Sequence, residues 1–129
     1  MANFTIEQLD CVTFDWTFKR DTGEQAKDKL ASFWQSSPQA KEAARSALRA
    51  VSKQYPDIAV FWLELSIDPD ANDTELRCVL RFKIPGAGEM TCQQRVDWNW
   101  QFAEWWVRQD AFEDYLSVPY WQGVIADLG

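Results

Sequence analysis

Two runs of alternating hydrophobicity, Ile58 to Ile67 and Leu76 to Ile84, constrain the fold of this chain more than any other feature. Ala59, Phe61, Leu63, Leu65 and Ile67 share one side of the first run, and Leu76, Cys78, Leu80, Phe82 and Ile84 one side of the second. Successive side chains of a strand point to opposite faces, so a period of two predicts half-buried strands. Met90, Cys92, Val96, Trp98 and Trp100 continue the even-numbered pattern and predict a third strand. An Asp68-Pro69-Asp70-Ala71-Asn72-Asp73 loop and a Pro85-Gly86-Ala87-Gly88 turn separate the three, and both are rich in turn-forming residues. The expectation is an antiparallel meander with turns of odd length, which keep paired residues on the same face. In that register Cys78 lies opposite Gln94 or Val96, which argues against a disulfide with Cys92.

The flanking segments supply the other layer. Val12, Phe14, Trp16 and Phe18 alternate with polar residues and predict a further strand that buries this apolar set. Thr5 followed by Gln8 suits the cap of a short helix carrying Ile6 and Leu9. After the Asp21-Thr22-Gly23 turn, Ala26, Leu30, Phe33 and Trp34 recur at helical spacing as far as Ser36-Ser37-Pro38. Ser37 as N-cap and Pro38 at the first helical position open a second helix. Its Ala40, Ala44, Ala47, Leu48 and Val51 share a face, and it ends near Tyr55 because a residue before proline avoids helical dihedrals. Phe102, Trp105, Trp106, Phe112 and Leu116 mark a helix stopped by Ser117-Val118-Pro119, and Trp121, Ile125 and Leu128 a last short helical piece. Together these predict a single α+β domain over 1–129, an antiparallel three- to four-stranded sheet in β-α-α-β-β-β-α order with helices packed on one face.

Eight tryptophans and no histidine stand in the 129 residues. The tryptophans supply a large core, while the missing imidazole removes the Ser-His-Asp and Cys-His relays and His-ligated zinc. No catalytic residue, cofactor or metal ligand set is therefore assigned, and the expectation is a protein that is not an enzyme. The Asp68-x-Asp70-x-x-Asp73 spacing lacks the glycine and distal glutamate of a calcium loop. Cys11, Cys78 and Cys92 are odd in number and form no Cys-x-x-Cys pair, so they read as buried free thiols in a reducing compartment. No apolar run reaches membrane-spanning length and no secretory leader follows Met1, which leads to a cytoplasmic expectation.

Net charge is −7, and its layout suggests function more than its size does. Lys41, Arg45, Arg49 and Lys53 step by four and form one basic stripe along the second helix, either a solvated face or a site for an acidic partner. Arg77, Arg81 and Lys83, with Arg95 on the third strand, are assigned to the polar sheet face. Most aromatic residues alternate away from them, so direct nucleic-acid binding is not expected. Asp68, Asp70, Asp73 and Glu75 surround one loop, and Glu104, Asp110, Glu113 and Asp114 lie on the third helix. Trp62 shares a face with Glu64 and Ser66, and Trp105 adjoins Trp106 about 100° away on a helix, so these two rings are candidate anchors at an interface. The functional expectation is a small acidic inhibitor that occludes another protein with a basic surface, either a nucleic-acid-handling protein or a toxin. It would act as immunity proteins and phage-encoded anti-defence inhibitors do, through those eight carboxylates, Trp62 and Trp105, with the basic stripe as the alternative face. A structural or assembly subunit and a small-ligand module with a Trp-lined pocket are the other readings.

Overall fold

The computed structural model describes residues 4–14, 20–67 and 76–128. A 3-10 turn at Ile6–Gln8 leads into strand β1 (Asp10–Phe14); short β2 (Arg20–Asp21) follows, then helices α1 (Gly23–Ser36) and α2 (Pro38–Gln54). Strands β3 (Val60–Ile67) and β4 (Leu76–Lys83) form the expected hairpin, then come α3 (Cys92–Trp106), α4 (Asp110–Tyr115) and β5 (Trp121–Asp127). The sheet has five strands in the order β2-β1-β3-β4-β5.

This sheet is mixed, which corrects the antiparallel expectation. β3 and β4 are antiparallel, with Phe61 opposite Phe82, Leu63 opposite Leu80 and Leu65 opposite Cys78, so the two alternating runs do bury the same face. β1 runs parallel to β3 and β5 parallel to β4. Parallel neighbours need long crossover connections, and α1–α2 and α3–α4 provide them. The expected shape of the first strand also changes. Cys11 and Thr13 are the buried side chains of β1, beside Leu63 and Leu65, while Val12 and Phe14 lie half-buried on the opposite face. Burial of Thr13 is tolerated because its hydroxyl donates to Asp21 at 3.3 Å. Trp16 and Phe18 lie outside the described residues.

The expected third meander strand is a helix. Thr91 accepts from the Gln94 amide through its hydroxyl at 3.1 Å, while its own amide donates to the Gln94 side chain at 2.8 Å. This reciprocal capping box starts α3. Phe102 and Trp106 are buried, Trp98 and Trp105 pack against the core, and Trp100, expected inside, is 69% exposed. The helix drawn from Phe102 to Leu116 is broken at Val107–Gln109 into α3 and α4. The C-terminal piece assigned as helical is strand β5, whose pairing with β4 shifts register between Cys78 and Val79. Gly123 sits at that irregularity with φ +104°, a backbone shape that side chains disfavour. Cys11 and Cys78 are buried as expected, but Cys92 is exposed, and Cys78 faces Leu65 and Trp121 rather than Gln94 or Val96.

The helices pack on one face, as expected. Ala26, Leu30 and Phe33 of α1, the alanine face of α2, and Phe102 and Trp106 of α3 share one core with Phe61, Leu63, Leu65, Leu80 and Phe82. Ring contacts run through this core from Phe4 to Phe61 and Phe82, on to Phe102 and Tyr55, and out to Trp105, Trp106 and Phe112. Edge-to-face and tilted arrangements predominate, as ring quadrupoles favour. No helix of the described residues is long and apolar enough to cross a membrane.

Candidate functional site

The basic stripe of α2 divides into a paired half and an unpaired half. Arg45 pairs with Glu7 at 2.8 Å and with Glu42, and Lys41 lies 3.6 Å from the same Glu7 carboxylate. A hydrogen bond from its own backbone, and then one from Arg45, hold Glu7 below the usual carboxylate range. Glu7 of the N-terminal turn and Glu42 of α2 thus partner the first half of the stripe. Arg49 and Lys53, one and two turns further on, make no ion pair among the described residues. They line an open groove of about 630 Å³ that also takes in Trp105, Asp110 and Asp114. Ser46 and Tyr115 join across its floor through their hydroxyls at 3.4 Å.

This groove brings together residues assigned to rival faces. The basic and acidic candidates are alternatives by sequence, yet Arg49 and Lys53 of α2 and Asp110 and Asp114 of α4 line the same groove. The break between α3 and α4 is what turns Asp110 and Asp114 toward α2. Gln109 supports that corner by donating to the Trp105 carbonyl at 2.9 Å. Trp105 is half-buried, its ring perpendicular to Tyr55 at 5.5 Å, and it serves as groove wall rather than as a projecting anchor. Glu104, Asp110, Glu113 and Asp114 are all exposed and make no ion pair among the described residues. Asp68, Asp70, Asp73 and Glu75 lie outside the described residues.

Trp62 belongs to a different surface. It projects from β3 on the sheet face away from the helices and donates through its indole to Glu64 at 3.3 Å. Arg81 pairs with the same carboxylate at 2.6 Å, and Lys83 sits 6.0 Å from the Trp62 ring. Phe14 is likewise covered by Arg20, 5.6 Å from its ring centroid. Arg20, Arg81 and Lys83 on this face therefore lie against its own aromatic rings and carboxylate. Arg95, assigned to the same face, is instead on α3, where it donates to the Ala87 carbonyl at 3.3 Å. Trp62 and Trp105 stand on opposite sides of the sheet and cannot anchor one flat interface.

Sequence reasoning missed the most exposed apolar surface. Val96 is 60% exposed and Trp100 69% on the outer side of α3, and Val107, its helical C-cap, is 51% exposed. Assigning Val96 and Trp100 to a strand core hid them, although the Thr91-x-x-Gln94 capping pattern was there to indicate a helix. Comparison with known protein families, curated proteins and solved structures found no match to this chain.

Proposed function

We propose that this chain is a small acidic protein-binding module that works by covering a basic surface on another protein, of the kind nucleic-acid-handling proteins and toxins present. The observation that carries this reading is the contrast between its two sets of charges. Lys41, Arg45 and Arg81 are paired within the fold, which leaves Arg49 and Lys53 as the unpaired cations of the α2 stripe, whereas all four of Glu104, Asp110, Glu113 and Asp114 are exposed and without ion pairs among the described residues. Exposed carboxylates on α3 and α4 that outnumber the two unpaired cations of α2, in a chain of net charge −7, accelerate encounter with a cationic partner and repel acidic ones. Occlusion is a mode of action that needs no catalytic group.

The test is affinity capture from the native cells, comparing the wild-type chain with a variant carrying Glu104→Gln, Asp110→Asn, Glu113→Gln and Asp114→Asn. The expected result is a partner of basic surface whose association slows in the variant and loses salt dependence, because screened charge acts chiefly on encounter. Capture that survives these changes but is abolished by Lys41→Glu, Arg45→Glu, Arg49→Glu and Lys53→Glu would refute the acidic face. A second reading rests on the groove, where Arg49 and Lys53 face Asp110 and Asp114 beside Trp105. It is a site suited to a small zwitterion, and a saturable change in tryptophan fluorescence on titration with free amino acids would favour it.

A further inference from the structure

The outer face of α3 carries an interrupted coiled-coil seam. Val96, Trp100, Ala103 and Val107 are spaced by four, three and four residues, which is the d-a-d-a step of a heptad repeat. At 100° per residue they fall within an arc of about 60° and span about 16 Å along the axis. All four are exposed. The same helix turns Trp98, Phe102, Trp105 and Trp106 toward its own core, so α3 is apolar on two faces, and only one of them is covered among the described residues. A helix that served its own fold alone would show polar residues outside, and a projecting Trp flanked by valines marks an interaction surface.

The flanks of the seam indicate what it fits. Asp97 and Glu104 occupy the two e positions, on one edge, and the opposite edge offers Cys92 and Asn99, which bring no positive charge. A second copy of this chain packed antiparallel would set Asp97 against Glu104 of its partner and Glu104 against Asp97, two like-charge contacts that disfavour it. Opposite charge at these positions selects a partner helix with lysine or arginine beside its apolar seam. We infer that the outer face of α3 docks an amphipathic basic helix of another protein, with Trp100 as the central anchor. This rests on the protein-binding reading above and deepens it by naming the recognition element and its apolar contact.

The probe is a pair of synthetic helical peptides of about three heptads, both with leucine at a and d, one with lysine and the other with glutamate at e and g. Binding to the intact chain is followed by calorimetry, with circular dichroism to verify that each variant is folded. The lysine peptide is expected to bind at least about tenfold more tightly than the glutamate peptide. Trp100→Ala together with Val107→Ser should weaken it by about tenfold or more, and Asp97→Lys with Glu104→Lys should reverse the preference. Equal binding of both peptides, no binding of either, or lysine-peptide binding indifferent to Trp100 and Val107 would each overturn the inference. So would a dimer in sedimentation equilibrium that Trp100→Ala dissolves. The two readings fail separately. If cellular capture depends on Asp110, Glu113 and Asp114 while the seam variants change nothing, the seam fails and the acidic reading stands. If capture ignores those three carboxylates while the peptide still needs Trp100, the reverse holds.

Discussion

Trp98 and Trp100 provide a direct test of the helix at 92–106, because a strand and a helix make opposite statements about them. On a strand the two residues point the same way and would be buried together, so their loss would cost about the same. On α3 they are about 200° apart. Trp98 stacks on Phe102 with centroids 5.4 Å apart and planes 7° from parallel, and meets Phe82 at 6.1 Å and Tyr55 at 5.6 Å. Trp100 is 69% exposed and makes no ring contact among the described residues. Truncating a fully buried aromatic to alanine costs about 3–5 kcal/mol. Trp98 is only half-buried but loses three ring contacts, so Trp98→Ala is expected at the lower end, about 3 kcal/mol. Trp100→Ala should stay within about 0.5 kcal/mol, the range of surface substitutions. Urea unfolding followed by circular dichroism at 222 nm reads both without relying on the fluorescence of the residue removed. With a urea slope of about 2 kcal/mol per molar, the Trp98→Ala midpoint falls by about 1.5 M and that of Trp100→Ala stays close to wild type. Equal shifts for the two variants would refute the helical assignment and, with it, the exposed seam.

Thr91→Ala removes the hydroxyl that accepts from Gln94 and should cost about 1 kcal/mol by urea denaturation; Thr91→Ser should recover most of the loss, and a Thr91→Ala variant as stable as wild type would show that the cap contributes nothing. Iodoacetamide on the native protein, with peptide mapping, should modify Cys92, which is exposed, and spare Cys11 and Cys78, which are buried; modification of all three below the unfolding midpoint would contradict the core. Stability should fall as pH rises above about 9. Burial, and then Glu64, push the Cys11 thiol up to about 12 from an ordinary 9.0, and burial, and then Cys11, raise Cys78 in the same direction. The unfolded chain then releases thiol protons that the folded chain keeps, which costs at most about 1.4 kcal/mol per pH unit per thiol. The slope between pH 9 and 12 should therefore flatten in Cys11→Ala with Cys78→Ala, measured as urea midpoints against pH, and an unchanged slope would show that other groups set the alkaline limit.

The candidate site was legible only in its parts. Spacing by four placed Lys41, Arg45, Arg49 and Lys53 on one helix face, but nothing local reveals that Glu7, far away in the chain, pairs with two of them. Glu104, Asp110, Glu113 and Asp114 could be counted as acidic from the sequence. That two of them face Arg49 and Lys53 across a groove follows from the break at Val107–Gln109, which apolar periodicity ran straight through. Trp105 is half-buried, while the exposure of Trp100 is hidden from the sequence because it falls on the even-numbered alternation.

By itself the sequence determined whatever depends on near neighbours. Alternation in β3 and β4, the alanine face of α2, and the stops at Ser37-Pro38 and Tyr55-Pro56 are all written in short windows, and each of these elements forms where it is written. Residues 90–107 were ambiguous for a physical reason. A helix that is apolar on its inner side at 98, 102, 105 and 106, and on its outer side at 96, 100, 103 and 107, imitates a period of two over its first turns. For β5, the helical spacing of Trp121, Ile125 and Leu128 competed with the strand propensity of Val124 and Ile125. The free edge of β4 settled it, since six residues of β5 pair with it in parallel. Strand order, parallel pairing, the inward turn of Cys11 and Thr13, and the meeting of α2 cations with α4 carboxylates belong to the tertiary structure alone. Each is decided by backbone pairing or by burial between residues distant in sequence, and no local window carries that energy.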